Sequence, residues 1–356
     1  MKRTKIFIFI AMTLILVGCS SSKINKLERY DREFYETFDT VINISIYSDD
    51  KKFAKDNLQF AEDRFKELTK IFDNYKTYTG VNNVKTINDN AGIKPIEVDE
   101  TLFNLIEFSI DNYHNYSTNN NIAMGPVIKK WNSYRELYEN GSTEDEVINE
   151  LNSSLPLQEE LESLRDYINI DKIKLDKNNK TVFIDEGMSI DLGATAKGYA
   201  TEIVAKELEE RGVNSAIISA GGNVRIIGLP GDGREYFKIG IQNPDLNSDK
   251  AAILVMKLKG DVSAVTSGDY QRYFEVDGKR YSHIINPDTL APTSKIKSLT
   301  VINKDSGLAD FLSTAAFNST DDEIKKMAKE TNSEIIWIDE NFKIHMTEGA
   351  AKYIEK

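Results

Sequence analysis

The chain has 356 residues, a formal net charge of −12 and a single cysteine. That acidity excludes the basic footprint a nucleic-acid binder needs, and one Cys excludes a disulfide framework or a thiolate metal cluster. With 40% hydrophobic residues the chain can bury one large core or two ordinary ones, and its three scattered histidines (His114, His283, His345) leave any bound metal to oxygen ligands.

Lys2, Arg3 and Lys5 precede an apolar run from Ile6 to Val17, too short for a comfortable bilayer span and of the form of a secretory leader. The run ends Leu16-Val17-Gly18-Cys19, which resembles a bacterial lipobox. That resemblance implies a signal peptide over 1–18, lipid attached to Cys19, and a polar tether over 19–33. The domain that follows, 34–350, is then held at the outer face of the cell membrane by buried acyl chains.

Residues 40–47 alternate as a strand does. Asp49 and Asp50 can cap a helix to about Phe72, with Phe53, Leu58, Ala61, Phe65 and Leu68 on one face. Asp99 caps a second helix through about Tyr116, and Pro126 suits the first turn of a third, to about Tyr138. Residues 139–165 are acidic and read as a surface insertion; 173–185 read as a hairpin. A helix over 195–211 ends at Gly212, a residue suited to the left-handed position that stops helices. Strand patterns follow at 215–219, 224–228, 236–241, 251–258, 262–266, 270–276, 281–285 and 297–303. Helices over 307–317 and 321–331 and a hairpin over 334–346 close the chain. Helices early and antiparallel-looking strands later predict an α+β fold, and no βαβ repeat supports a doubly wound sheet.

Four stretches carry chemistry, each also readable as a local cap or turn. Asp191-Leu-Gly-Ala-Thr-Ala-Lys-Gly-Tyr199 follows a strand and opens a helix, so its backbone N–H groups and Lys197 suit a phosphate. Ser219-Ala-Gly-Gly-Asn223 allows a tight turn or close ligand approach. A hairpin over 270–285 brings Ser267 and Asp269 near His283, a titratable group among polar motifs. Asp310 and Thr314, at i and i+4, put a carboxylate and a hydroxyl on one helix face, which suits Mg²⁺.

In this order, from about Phe38 to the C-terminal hairpin, these stretches resemble the ApbE family of FAD:protein FMN transferases. The resemblance rests on Asp191 with Lys197-Gly198-Tyr199, Ser219 to Asn223, Ser267 to Arg272, His283-Ile284 with Pro287, Thr289 and Pro292, and Ala309 to Thr314. Several positions depart from the family's pattern: Asn286 for Asp, Leu290 for Gly, Ser282 for His, Asn120-Asn121 for Phe-Asp, and Phe38 for Met.

The resemblance implies a T-fold-like α+β unit of mixed, largely antiparallel sheets with packed helices, two lobes enclosing a nucleotide cleft. It implies FAD as substrate and Mg²⁺ on its pyrophosphate, held by Asp310, Thr314 and the backbone carbonyls of Ala194 and Ser313. Asp191 and Lys197 would bind the nucleotide, and Phe38, Tyr75, Asn119, Asn120, Asn121 and Ile284 would contact flavin or adenine. His283 is the candidate proton acceptor, with Asp269 as the second, and Arg272 would offset phosphate charge or orient the hairpin. The implied partner is an acceptor flavoprotein or a subunit of a membrane redox complex. Hydrolysis of FAD by water, and flavin binding without catalysis, remain open beside transfer.

Overall fold

The computed structural model describes residues 26–355, so the leader, Cys19 and the first part of the expected tether lie outside the described residues. Glu28–Thr37 (β1) and Thr40–Ser48 (β2) form an antiparallel hairpin. Residues 28–33, expected as the end of the tether, are strand instead. Tyr30, Arg32 and Phe34 point to one face of β1, where Phe34 is buried and Arg32 bonds Glu62 and Gln59. A charged residue at a core-facing position breaks the apolar alternation that would mark this strand.

Helix α1 (Lys51–Phe72) starts where Asp50 accepts from the N–H groups of Lys52 and Phe53. It buries Ala54, Leu58, Ala61, Phe65 and Leu68 at helical spacing. α2 (Glu100–Asn115) is capped by Asp99, and α3 (Gly125–Glu139) has its proline in the first turn. α4 (Ala196–Glu210) is followed by Gly212 at φ +93°. The remaining main elements are β3 (Ser215–Ala220), β4 (Asn223–Gly228), β5 (Val262–Gly268), β6 (Ile296–Asn303), α5 (Ser306–Phe317), α6 (Asp321–Glu330), β7 (Glu334–Asp339) and β8 (Ile344–Met346).

β1 to β8 make one sheet whose spatial order repeats the chain order, each neighbour antiparallel. The expected α+β, largely antiparallel architecture is therefore present. α1 and α4 cover β2 and β3 through a core that includes Ile44, Phe65, Val204 and Ile218. α5 and α6 cover β6 and β7 through Leu299, Phe311, Ile324 and Trp337. A hairpin of Phe237–Gln242 with Ala252–Leu258 closes the opposite face over Ile226, Val262 and Ile302. Each large side chain buried this way contributes about 1.5–3 kcal/mol.

A separate core joins α3 to the hairpin Tyr273–Val276/Lys279–Ser282, with Trp131, Tyr134, Phe274 and Leu290 at its centre. Residues 139–165 belong to it. The expected surface insertion is corrected here, because Val147 and Leu161 are fully buried against Trp131 and Tyr134. The strand expected over 281–285 stops at Ser282, and Ile285–Asn286 pairs instead with Ala291–Pro292. No helix among the described residues is long and apolar enough to cross a membrane.

Candidate active site

Two tight turns lie side by side at one end of the sheet. Phe38 and Asp39 (φ +51° and +50°) join β1 to β2; Gly221 and Gly222 (φ +53° and +89°) join β3 to β4. Hairpins of two left-handed residues keep the strand twist, and Gly takes that conformation without strain. A Cβ on Gly221 would overlap Thr40, so the turns can touch only because that residue is Gly. Beside them a cleft of about 640 Å³ opens between the sheet end, the start of α4, α5 and α3.

Asp310 is 4% exposed and borders this cleft. Its Oδ2 accepts from the Gly198 N–H at 2.7 Å, in the first turn of α4. Burial pushes its carboxyl above the ordinary range, opposed by Lys197 and the Gly198 N–H. Thr314 lines the cleft on the same helix face. Its hydroxyl makes no bond to the helix, unlike those of Thr201 and Ser319, which donate to carbonyls four residues back at 2.7 and 2.8 Å. The donor set therefore fits a hard cation: one desolvated carboxylate, one uncommitted hydroxyl and the nearby Ala194 backbone. Among the described residues no three acidic, His or Cys side chains converge, so such a cation would keep positions for substrate oxygens. The Ser313 side chain does not line the cleft; its hydroxyl donates to the Asp310 carbonyl at 2.9 Å and pairs with Ser267 Oγ at 2.8 Å, which braces the wall from behind, whereas the expected ligand atom of this residue is its backbone carbonyl, next to Thr314 in the chain.

His283 lines the cleft opposite. The Arg272 carbonyl accepts its backbone N–H at 3.0 Å and sits 3.2 Å from its Nδ1. A carbonyl cannot donate, so Nδ1 carries the ring proton and Nε2 keeps a lone pair. Enclosure by the cleft walls, with Arg272, Lys197 and Arg135 nearby, lowers the imidazole pKa to about 3, so the ring is neutral at physiological pH. Arg272 is itself tied by a 2.9 Å bond to the Asp39 carbonyl, which links the β1–β2 turn to the histidine.

Asp191 borders the cleft and accepts from the Gly193 N–H and Asn74 Nδ2, both at 2.8 Å; burial raises its pKa. Lys197 lies along the first turn of α4, its Nζ 3.2 Å from the Gly193 carbonyl. Ile284 forms part of the apolar wall, and Tyr75 stands 59% exposed at the margin. Asn119, Asn120 and Asn121 also line the cleft. Their Nδ2 groups bond the scaffold: Asn119 to Ser319, Asn120 to the Phe311 carbonyl and Asn121 to the Ile168 carbonyl, while Asn121 Oδ1 also accepts the Ala123 N–H.

Two expected residues are elsewhere. Phe38 packs its ring against Phe65 and Phe72 and does not border the cleft, although Asp39 and Thr40 do. Asp269 is also outside it, buried and paired with Lys297 at 3.0 Å and Arg280 at 3.6 Å.

Sequence reasoning missed Arg135, which with Ile128 and Asn132 gives α3 a cleft-lining face. The spacing 128, 132, 135 was the available signal. With Lys197 and Arg272 it makes three cations around a cleft in an acidic protein.

The pattern of the ApbE family matches residues 38–337. A relative from Vibrio cholerae named FAD:protein FMN transferase is 26% identical over 351 residues, covering 98% of each chain. One of the same name from Klebsiella pneumoniae is 32% identical over 279 residues, 78% of each chain. The ApbE protein of Thermotoga maritima aligns with a TM-score of 0.78 and 27% identity, over 92% of this chain and 100% of its own. The Vibrio cholerae flavin transferase ApbE shares the fold at a TM-score of 0.74 and 21% identity, over 92% and 99%.

Proposed function

This chain belongs to the ApbE family, and we propose that it transfers FMN from FAD to a Thr or Ser hydroxyl of an acceptor protein, releasing AMP. The reading is carried by one observation: a histidine oriented by a backbone carbonyl and a carboxylate–hydroxyl pair open into the same cation-rimmed cleft.

The acceptor hydroxyl oxygen attacks the phosphorus of the FMN half. A new P–O bond forms, the bond from that phosphorus to the bridging oxygen breaks, and AMP leaves with the electron pair. His283 Nε2 takes the hydroxyl proton, since Nδ1–H is committed to the Arg272 carbonyl. Lys197, Arg135 and Arg272 offset the diphosphate charge. Asp310, Thr314 and the Ala194 carbonyl would hold Mg²⁺, which when bound supplies charge neutralisation at the phosphoryl oxygens. The apolar side, Ile284 and Ile285, would take a ring system.

The leader supports a lipid anchor on Cys19 and a place on the outer face of the cell membrane. The acceptor would then be an extracytoplasmic flavoprotein or the exposed part of a membrane redox complex. The test is incubation with FAD, Mg²⁺ and a candidate acceptor domain, read by in-gel flavin fluorescence and the acceptor's mass. Covalent FMN on the acceptor, lost in Asp310→Ala, is expected. Release of free FMN with no labelled acceptor would make the chain a hydrolase instead.

A further inference from the structure

Asn223 closes the Gly221-Gly222 turn, borders the cleft and is 1% exposed. Its Oδ1 accepts the Ser306 hydroxyl at 2.8 Å. Its Nδ2 is buried and has no hydrogen-bond partner. A buried donor left unpaired in this way destabilises the unliganded fold and calls for a reason.

The amide cannot escape by turning over. Ser306 is fixed, because its backbone N–H donates to Glu202 Oε2 at 2.9 Å, and Glu202 is paired with buried Arg225 at 3.1 Å. Reversing the amide would leave its carbonyl unpaired at the same place. The location is specific. A Cβ on Gly198 would stand 2.9 Å from Nδ2 and overlap Asp310 Cβ, so the orphan nitrogen shares a niche with the Gly198–Asp310 bond. Lys197 is the adjoining residue, and it also borders the cleft. An N–H there, beside a lysine, is complementary to an anionic oxygen. The nitrogen is recessed in the cleft wall, and the soft terminal torsion of asparagine lets it lean toward an incoming atom.

We propose that Asn223 Nδ2 donates a hydrogen bond to a non-bridging phosphoryl oxygen of the bound dinucleotide, making it a binding residue specific for the diphosphate. This rests on the transferase reading, which supplies the dinucleotide.

The test compares FAD with riboflavin, which lacks phosphate, by quenching of flavin fluorescence in EDTA, for the wild type, Asn223→Asp and Asn223→Ser. Asp keeps the acceptor for Ser306 and puts a charged oxygen in place of the donor, while Ser removes the amide without adding charge. A charge-assisted hydrogen bond corresponds to about a tenfold change in affinity, so the FAD-to-riboflavin affinity ratio should fall at least that far in Asn223→Asp. Asn223→Ser should show a smaller fall in the same direction, with both apo proteins folded by circular dichroism. An unchanged ratio in the neutral Asn223→Ser overturns the proposal, whatever the charged Asn223→Asp shows. So does loss of folding in both, which would make Asn223 a structural bracket. The same comparison is repeated with Mg²⁺ in excess of EDTA, and failure of the wild type to bind FAD under both conditions would instead remove the transferase reading itself.

Discussion

The backbone N–H of Gly198 donates to Asp310 Oδ2 at 2.7 Å, and nothing larger than hydrogen fits on Gly198 Cα. An added methyl would overlap both Asp310 Cβ and the Ser306 carbonyl oxygen. Gly198→Ala should therefore push α4 away from α5 and cost about 1–3 kcal/mol by overpacking. Urea denaturation measures that loss. Transfer should fall with it, because the carboxylate loses the bond that aims it. A variant with wild-type stability and wild-type transfer would remove this contact from the account.

His283 gives a pH signature. Its folded pKa, about 3, lies below the unfolded value of about 6.5. Between those values the unfolded chain binds more protons, so the histidine's contribution is complete above pH 6.5 and is lost as pH falls toward 3. Unfolding free energy measured from pH 7.5 to 5 should decline more steeply for the wild type than for His283→Gln. The acid limb of the transfer rate should likewise break well below 6.5. Parallel stability curves would mean the imidazole is not held neutral.

Asp269 should matter to the fold and little to turnover. Asp269→Asn weakens its bond to Lys297 and removes the charge that faces Arg280 at 3.6 Å, and a hydrogen bond between charged groups is worth about 1–3 kcal/mol. The transfer rate at a temperature where the variant is folded should stay within about threefold of wild type. A collapse of kcat with unchanged stability would restore Asp269 to the chemistry.

Leu290 occupies a left-handed position (φ +56°) yet is fully buried, and its carbonyl accepts Trp131 Nε1 at 2.8 Å. The backbone strain costs about 1–2 kcal/mol, while truncating a buried Leu costs about 2–5 kcal/mol. Both Leu290→Gly and Leu290→Ala should lower the melting temperature. Alanine should be the worse, because it keeps the strain and loses the packing; the reverse order would show that the strain is small.

Elements whose local signals agree with their surroundings were legible: α1 with its Asp50 cap, α3 with its early proline, and the glycine after α4. β1 was hidden because Arg32 takes an inward position and is satisfied only by Glu62 and Gln59 of α1, a contact outside its own strand. Val147 and Leu161 were hidden by acidic neighbours on their exposed faces. In the cleft, Asp310, Thr314, Lys197 and His283 could be found because motif spacing carries them to one place. Phe38 was misjudged since residue type says nothing of direction, and its left-handed backbone sends the ring onto Phe65 and Phe72. Arg135 became visible only when the second core set α3 across from His283.

The meander of strands has a kinetic consequence. β1–β2, β3–β4 and β7–β8 join through short turns and can pair early, whereas β2 must wait for α1 to α4 to collapse before it meets β3. That junction is the expected last seam of the sheet, and until it closes both halves carry a bare edge able to capture another chain. Pulse-labelling hydrogen exchange during refolding should find the amides bonded across β2 and β3, within Ile42–Ile46 and Ala216–Ala220, protected after those bonded across β5 and β6.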